Sequence, residues 1–175
     1  MTGTTTDLIR SIDRGFDFAA STRISTSRSG LSKRRSLAAL QLVTPAVAGN
    51  YACGSQWLER VADQLDAAGG PLVVAATHDD QFAGVAVLRP KGVRRLKIAT
   101  FFVASHWRGR GVATMLARQV TAGAFDVGYE EVALTCPDQM RHQFDRVLAP
   151  SGFQHVDRLV DRYGERAESV FCAAA

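Results

Sequence analysis

The sequence lacks a long apolar run and has few cysteines. Its 175 residues contain no stretch of about 18 consecutive apolar residues, which is the length that a membrane-spanning helix needs. The first 15 residues also lack the apolar segment of a secretory signal peptide. Three cysteines, Cys53, Cys136 and Cys172, are an odd number in a long chain and do not resemble a disulfide scaffold. These absences predict a cytoplasmic protein with reduced thiols and no membrane partner.

The composition is that of a folded domain. Hydrophobic residues make up 46% of the chain and charged residues 22%, which are ordinary values for a globular protein. A length of 175 residues lies within the range of about 100–200 that is usual for one domain. We therefore expect an N-terminal helix and a polar linker over residues 1–30, followed by a single domain over residues 31–175.

The formal net charge of +4 is carried by the N-terminal part of the chain. Residues 1–50 hold seven Lys and Arg against three Asp and Glu, whereas residues 51–175 hold fourteen of each. Such a segment is usually a solvated arm, and it can also steer an anionic partner such as nucleic acid or a phosphorylated cofactor. Because no aromatic residue interleaves with Arg28 and Lys33–Arg35, we predict no nucleic-acid site from this feature.

The spacing of apolar residues predicts alternating strands and helices. Apolar residues recur at helical spacing over residues 7–20, and the polar stretch 21–30 is typical of a linker. From Leu31 the predicted elements are a strand (35–43), a helix that starts at Pro45, a three-strand meander (71–77, 82–88 and 96–104), a helix from Val112, a strand (131–135), a helix with Met140 and Phe144, and a closing hairpin (153–160 and 169–173). This order predicts a mixed α/β fold with helices on both faces of the sheet.

The most informative segment is Phe101–Leu116, in which a buried strand leads through a glycine-containing loop into an amphipathic helix. Gly109 and Gly111 let backbone amides approach a ligand with no Cβ in the way. The start of a helix adds unpaired N–H groups and the positive end of the helix dipole. Together these features predict a cradle for an anionic group such as phosphate.

Two common phosphate-binding motifs do not fit this segment. The dinucleotide motif G-x-G-x-x-G fails because Thr114 stands where its third glycine should be, and no Gly-Lys-Ser/Thr follows as in a P-loop. The pattern Arg/Gln-x-x-Gly-x-Gly/Ala does fit, as Arg108-Gly109-Arg110-Gly111-Val112-Ala113. This segment follows a three-strand meander and precedes a strand, a helix and Gly152-Phe153. In that setting it resembles the acetyl-CoA signature of the GCN5-related N-acetyltransferase (GNAT) superfamily, over residues 33–173.

The resemblance implies a mixed, mostly antiparallel sheet of six to seven strands. Its fourth strand is bulged and splays from the fifth, and the pantetheine arm of acetyl-CoA lies in the gap between this β4/β5 pair. The backbone of Phe101 and Val103 would contact pantetheine, with Ser105 just beyond. The amides from Arg108 to Thr114 would surround the pyrophosphate. The cofactor-binding residues expected from the resemblance are thus Phe101, Val103, Ser105, Arg108, Gly109, Arg110, Gly111, Val112, Ala113 and Thr114. An ordinary β-to-α turn is the competing interpretation of this loop.

Acyl transfer to an amine needs a donor for the thioester carbonyl and a proton donor for the leaving thiolate. The resemblance assigns the first role to the backbone N–H of Val103. The family commonly uses a tyrosine in the last helix for the second, and the stretch before Gly152-Phe153 contains none. Tyr163, Ser151 and Cys136 are the candidates, and Tyr163 leads because a phenol is the usual donor in the family.

A general base has several candidates, none of which the sequence singles out. They are Glu130, Glu131, Asp79, Asp80, His78 and His106. Each also fits an ordinary structural position, and many members of the family use an ordered chain of water molecules instead. His142 and His155 have no metal-ligand spacing to the cysteines, so we predict no metal cofactor.

The sequence therefore predicts an acetyl-CoA-dependent N-acetyltransferase that acts on a primary amine of a small molecule, peptide or protein. A catalytically silent acyl-CoA-binding regulatory module is an alternative, because the helix tyrosine is missing. A toxin-like acetyltransferase of aminoacyl-tRNA is a second alternative, because the N-terminal region is basic. The resemblance places acceptor specificity in variable loops, here the Gly49–Gly54 region and the Asp161–Glu168 hairpin. Dimerisation is common in the family, and a homodimer stays open.

Overall fold

A seven-stranded sheet organises the protein. The computed structural model describes residues 5–13, 22–26, 31–160 and 167–175. The strands are β1 (Thr22–Thr26), β2 (Leu72–His78), β3 (Gln81–Lys91), β4 (Arg95–Val103), β5 (Glu131–Pro137), β6 (Gln154–Leu159) and β7 (Glu168–Ala174). The helices are α1 (Thr5–Asp13), α2 (Lys33–Asn50), α3 (Gly54–Asp63), α4 (Val112–Asp126) and α5 (Arg141–Leu148). The strand order is β1-β2-β3-β4-β5-β7-β6, and β4 and β5 are parallel whereas the other pairs are antiparallel. The predicted mixed, mostly antiparallel sheet is confirmed.

The central meander forms as the apolar runs predict. Strands β2 and β3 are joined by Asp79 and Asp80, whose φ angles of 46° and 63° suit a two-residue hairpin turn. Aspartate tolerates this left-handed region better than most residues because its short side chain bonds the local backbone. Both strands are buried over most of their length, since helices cover both faces of the sheet.

The strand predicted for residues 35–43 is wrong, because this segment is the first half of α2. Its buried residues Ser36, Ala39, Leu40 and Val43 recur at i, i+3, i+4 and i+7, which is a helical stripe. The side chain of Ser32 caps the helix by accepting a hydrogen bond from the Arg35 amide at 3.3 Å. The helix therefore begins well before Pro45, which lies inside α2 and not at its start.

The linker predicted for residues 21–30 is wrong over residues 22–26. These residues form the edge strand β1, which pairs with β2 in antiparallel register with Ile24 opposite Ala76. Threonine and isoleucine favour extended backbone, but a single buried apolar residue leaves almost no periodic signal. The seventh strand of the sheet therefore comes from this polar segment and not from residues 35–43.

Helix α1 packs against α4. Leu8, Ile9 and Ile12 are buried, in agreement with the predicted helix, whose residues 14–20 lie outside the described part of the chain. The side-chain amide of Gln119 donates a 2.6 Å hydrogen bond to the Ile12 carbonyl. A Cβ on Gly123 would lie 2.6 Å from the Ile12 side chain, so glycine permits this close contact.

Two apolar layers cover the sheet. One contains α1, α4 and α5, with Leu116, Leu148 and Phe171 at its centre. The other lies beneath α2 and α3 and contains Val43 and Val61. Within the described residues, none of the helices has both the length and the apolar character needed to cross a membrane.

Shortening Ile12 should destabilise the whole domain. Ile12 is fully buried, so Ile12→Ala leaves a cavity beneath α4 and is expected to lower the free energy of unfolding by about 2–5 kcal/mol. Urea denaturation followed by circular dichroism would measure the change. Arg10→Ala, on the exposed face of the same helix, is the matched control. A loss below about 0.5 kcal/mol for Ile12→Ala, the size of an ordinary surface effect, would contradict the docking of α1.

Candidate active site

A gap opens in the middle of the sheet where β4 and β5 separate. The two strands pair in parallel from Arg95 opposite Glu131 to Ile98 opposite Leu134, and no further. Beyond this point β4 continues to Val103 along β3, and β5 continues to Pro137 along β7. The carboxyl-terminal ends of β4 and β5 therefore form two walls with no strand pairing between them.

A β-bulge lies where this pairing stops. In the β3–β4 register, Val87 is opposite Thr100 and Leu88 is opposite Ile98, which leaves Ala99 as an extra residue in β4. A bulge bends its strand and increases the local twist. The bulge therefore accounts for the divergence of β4 from β5.

The divergence leaves backbone groups of β4 facing the gap. The amide of Ala104 donates to the Ala83 carbonyl at 3.0 Å, so the backbone groups of Ala104 point toward β3. Because successive residues of a strand alternate in direction, the groups of Phe102 also point toward β3, and those of Phe101 and Val103 point away from it. The N–H groups of Phe101 and Val103 are thus directed into the gap.

The loop after β4 holds two glycines that adopt positive φ. A short 3-10 helix that starts at the exposed Ser105 is followed by Arg108, and then by Gly109 and Gly111 with φ angles of +74° and +79°. L-residues with a side chain rarely adopt such angles, so glycine is required here. A Cβ placed on Gly109 would meet no atom within 4 Å, and this side of the loop is therefore open.

The first turn of α4 presents unpaired amides beside this loop. The first helical hydrogen bond runs from the Met115 amide to the Gly111 carbonyl at 3.0 Å. The amides of Val112, Ala113 and Thr114 precede it, so they have no partner within the helix. With the positive end of the helix dipole, they make a site suited to an anion.

Two arginines flank these amides in defined positions. The Nε of Arg108 donates to the Val103 carbonyl at 3.2 Å, which ties the loop back to the end of β4. The guanidinium of Arg110 lies 5.1 Å from the centre of the Trp107 ring. Trp107 in turn lies 4.6 Å from His78 and 5.7 Å from His106, centroid to centroid. These contacts hold positive charge next to the start of α4.

Helix α5 closes the site on the side of α4. The Thr114 hydroxyl donates to the Val147 carbonyl at 3.2 Å, and the Ser151 hydroxyl donates to the Thr114 carbonyl at 3.4 Å. The ring of Phe144 lies 6.3 Å from that of Phe101. The end of α5 is thereby fixed beside the first turn of α4, and α5 contributes no tyrosine to the site.

The three candidates for the proton donor, Tyr163, Ser151 and Cys136, differ in their surroundings and in whether they lie in the described part of the chain. Tyr163 lies outside the described residues. The Ser151 hydroxyl is engaged with Thr114, as above. Cys136 is buried, and burial together with the nearby carboxylates of Glu168, Asp138 and Asp145 raises the pKa of its thiol to about 12. Cys136 is therefore a neutral core residue at pH 7.

The carboxylates considered as bases are engaged in ion pairs on exposed surfaces. Glu130 and Glu131 lie at the amino-terminal end of β5, 3.1 Å from Arg94 and 2.6 Å from Arg95. This end of the sheet is opposite to the gap. Asp80 pairs with Arg35 at 3.1 Å in the β2–β3 turn, next to Asp79. Among the described residues, no cluster of three or more His, Cys, Asp or Glu side chains could hold a metal ion.

One hydrogen-bonded pair near the gap, between the half-buried Tyr51 and the buried Glu168, was not predicted from the sequence. The Tyr51 hydroxyl donates to Glu168 Oε1 at 2.7 Å, although 117 residues separate the two. Glu168 is only 3% exposed. The one available signal was the carboxylate of Glu168 at the start of strand β7, which the hairpin interpretation assigned to a loop.

The comparison with protein families decides the classification. Residues 39–146, more than half of the chain, match the family model described as the Acetyltransferase (GNAT) family. The chain belongs to this family. No curated protein matches the chain with significance.

Several solved structures share the fold of this chain. A GNAT acetyltransferase from Elizabethkingia anophelis with acetyl-CoA bound is 13% identical, with a TM-score of 0.65 over 90% of this chain and 100% of that one. Ard1 from Thermoplasma volcanium is 13% identical, with a TM-score of 0.70 over 89% and 99%. An aminoglycoside 6'-N-acetyltransferase complexed with coenzyme A is 15% identical, with a TM-score of 0.65 over 86% and 96%. At such identities the likeness shows the fold alone.

Thiol reactivity should follow burial. Cys53 is exposed, whereas Cys136 is buried and its raised pKa of about 12 keeps it protonated at pH 8. We expect a disulfide reagent such as DTNB to modify Cys53 quickly in the native protein and Cys136 only after unfolding in urea. Compared with the wild type, Cys136→Ala should show one fewer reactive thiol in urea and the same number under native conditions. Rapid native modification of Cys136 would contradict its assignment as an inert core residue.

Proposed function

We propose that this GNAT protein is an acetyl-CoA-dependent N-acetyltransferase that transfers an acetyl group directly to a primary amine of a small molecule, peptide or protein. The observation that carries the proposal is the glycine-bounded start of α4 beside the gap between β4 and β5. Membership in the acetyltransferase family supports acyl transfer in general. The amine acceptor is the finer part of the proposal.

The residues at the gap fit a nucleotide-linked thioester. The amides from Arg108 to Thr114 would hold its pyrophosphate, since a Cβ on Gly109 would meet no atom within 4 Å and the helix dipole favours negative charge. Arg108 and Arg110 would add charge from either side of the loop. The inward-facing backbone groups of Phe101 and Val103, with Ser105 beyond them, would pair with the pantetheine amides as an additional strand does.

The chain's own groups would then perform the transfer. Bound acetyl-CoA supplies an activated acetyl group as a thioester. The N–H of Val103 points into the gap, where it would donate a hydrogen bond to the carbonyl oxygen as negative charge develops there. A primary amine of the lysine type has a pKa of about 10.4, so the acceptor must lose a proton before it attacks. Tyr163 is our proposed donor of the proton that the leaving thiolate takes up.

A silent acyl-CoA-binding module is the second candidate, and the absence of tyrosine from α5 favours it. Both candidates predict stabilisation by acetyl-CoA. Only the transferase predicts that an amine accelerates release of free CoA thiol, so a thiol-release assay with a panel of amines separates the two.

Replacing Gly111 should abolish acetyl-CoA binding and leave the fold intact. Valine at φ +79° would strain the loop and place a side chain over the amides of α4. For the wild type at 100 times Kd, we expect acetyl-CoA to add about 2.7 kcal/mol, or roughly 5–10 °C in Tm. Gly111→Val should show no such shift.

Gly92→Val is the matched control for Gly111→Val. Gly92 has a similar φ of +76° but lies in the β3–β4 turn, at the opposite end of the sheet. This variant should lose a comparable amount of stability and keep the full acetyl-CoA shift. An unchanged shift in Gly111→Val would remove the α4 start from the cofactor site.

Replacing Tyr163 with phenylalanine tests the proposed proton donor. Loss of the phenol should lower kcat by about 10²–10⁴-fold, while the affinity for acetyl-CoA stays the same. Steady-state kinetics and calorimetry on one preparation would separate the two effects. Full activity in Tyr163→Phe would exclude Tyr163 and return attention to Ser151.

A further inference from the structure

The gap has a second wall, formed by the ends of β5 and β7. Pro137 at the end of β5 pairs with Glu168 at the start of β7. Continuing the parallel register past Leu134 leads along β5 to Pro137, on the far side of the gap from Phe101. Glu168 therefore lies immediately behind the wall that faces the backbone groups of β4.

The Glu168 side chain points to the face of the sheet covered by α2 and α3. Side chains alternate along a strand, and Phe171, an odd number of residues away, lies in the core on the α4 and α5 face. Tyr51, which follows α2, reaches Glu168 from that other face. The contact joins the Gly49–Gly54 region to Glu168, the last residue of the Asp161–Glu168 segment, and acceptor specificity is expected from these two segments.

The Glu168 carboxylate has an unused oxygen. Oε1 accepts the Tyr51 hydroxyl, whereas Oε2 is buried and has no hydrogen-bond partner among the described residues. Leaving a buried acceptor unsatisfied is costly, and more so when it is charged. Tyr51 and Pro137 are themselves only half-buried, so the carboxylate lies directly beneath the surface.

The electrostatics around this oxygen favour a cation. The carboxylates of Glu168, Asp138 and Asp145 all lie close enough to Cys136 to raise the pKa of its thiol. Asp138 is neutralised by Arg158 at 3.0 Å, and Asp145 lies 3.7 Å from Arg141. For Glu168 the described partner is the neutral Tyr51 hydroxyl. Among the described residues, the Glu168 carboxylate thus has no ion-pair partner.

We infer that Glu168, oriented by Tyr51, is the binding group for the acceptor nitrogen, and that the acceptor is a cationic primary amine. Glu168 Oε2 accepts a hydrogen bond from that nitrogen, and Tyr51 keeps the carboxylate directed at it by occupying Oε1. This inference rests on the proposed function for its acceptor, while the Tyr51–Glu168 geometry stands on its own. A purely structural tether between α2 and the sheet would explain the hydrogen bond but would not require an unpaired second oxygen.

The test is calorimetric titration of amines into the full-length protein, with and without saturating CoA. The probes are cadaverine, spermidine and a tripeptide with a free amino terminus, with the N-acetylated tripeptide as the neutral comparison. Glu168→Gln keeps the shape of the side chain and removes its charge. Glu130→Gln removes a carboxylate at the opposite end of the sheet and is the matched control.

We expect Glu168→Gln to weaken binding of at least one cationic probe about 10-fold or more, since hydrogen bonds to charged groups contribute about 1.5–3 kcal/mol. Tyr51→Phe should weaken the same probe to a smaller extent. Both variants should retain the acetyl-CoA shift in Tm, and Glu130→Gln should match the wild type. In turnover assays the KM for the amine should rise in Glu168→Gln while that for acetyl-CoA stays constant.

Equal amine affinity in the wild type and Glu168→Gln, with both proteins folded, would overturn the inference. Failure of the wild type to bind any cationic probe, with or without CoA, would also overturn it. Lower Tm with unchanged amine binding would identify a structural tether instead. If the wild type does not bind acetyl-CoA, the proposed function is refuted. The amine titration without CoA would still decide the role of Glu168.

Discussion

The loss of pairing between β4 and β5 after Ile98 and Leu134 is the constraint on which the site depends. A sheet that stayed closed would use the N–H of Val103 in its own ladder and leave no space beside the start of α4. The extra residue Ala99 breaks the register with β3 at the same level. One inserted residue thus separates a continuous sheet into two walls. The positive end of the α4 helix dipole lies beside the gap between them.

In the proposed site the two walls would differ in charge. Arg108, Arg110 and the first amides of α4 lie after β4, whereas the buried carboxylate of Glu168 lies at the start of β7. An anionic donor and a cationic acceptor would therefore be drawn to different sides of one gap. The sheet between these two sides is apolar, so the local dielectric constant is low. A low dielectric constant strengthens electrostatic interactions at close range.

Much of this arrangement was predictable, because its signals are local. Strands β2, β3 and β4 stand out as apolar runs between turns, and the glycines of the α4 loop are visible in the sequence. Residues 35–43 were wrongly predicted as a strand, because the periodicity of a short apolar run does not distinguish a strand from a helix. The buried stripe from Ser36 to Val43 shows that the segment is helical. Strand β1 is an edge strand, and Ile24 is its one apolar residue. The Tyr51–Glu168 contact joins distant segments, and no local pattern encodes it.

The hydrogen bond from Arg108 to the Val103 carbonyl explains a choice built into the family motif. Its first position accepts arginine or glutamine, which share a planar group with directional N–H donors and differ in charge. The bond uses the Nε–H of Arg108, whose side chain is exposed. In this chain the residue at this position fastens the loop to the strand. Lysine has the charge without the planar geometry, and so it does not meet this requirement.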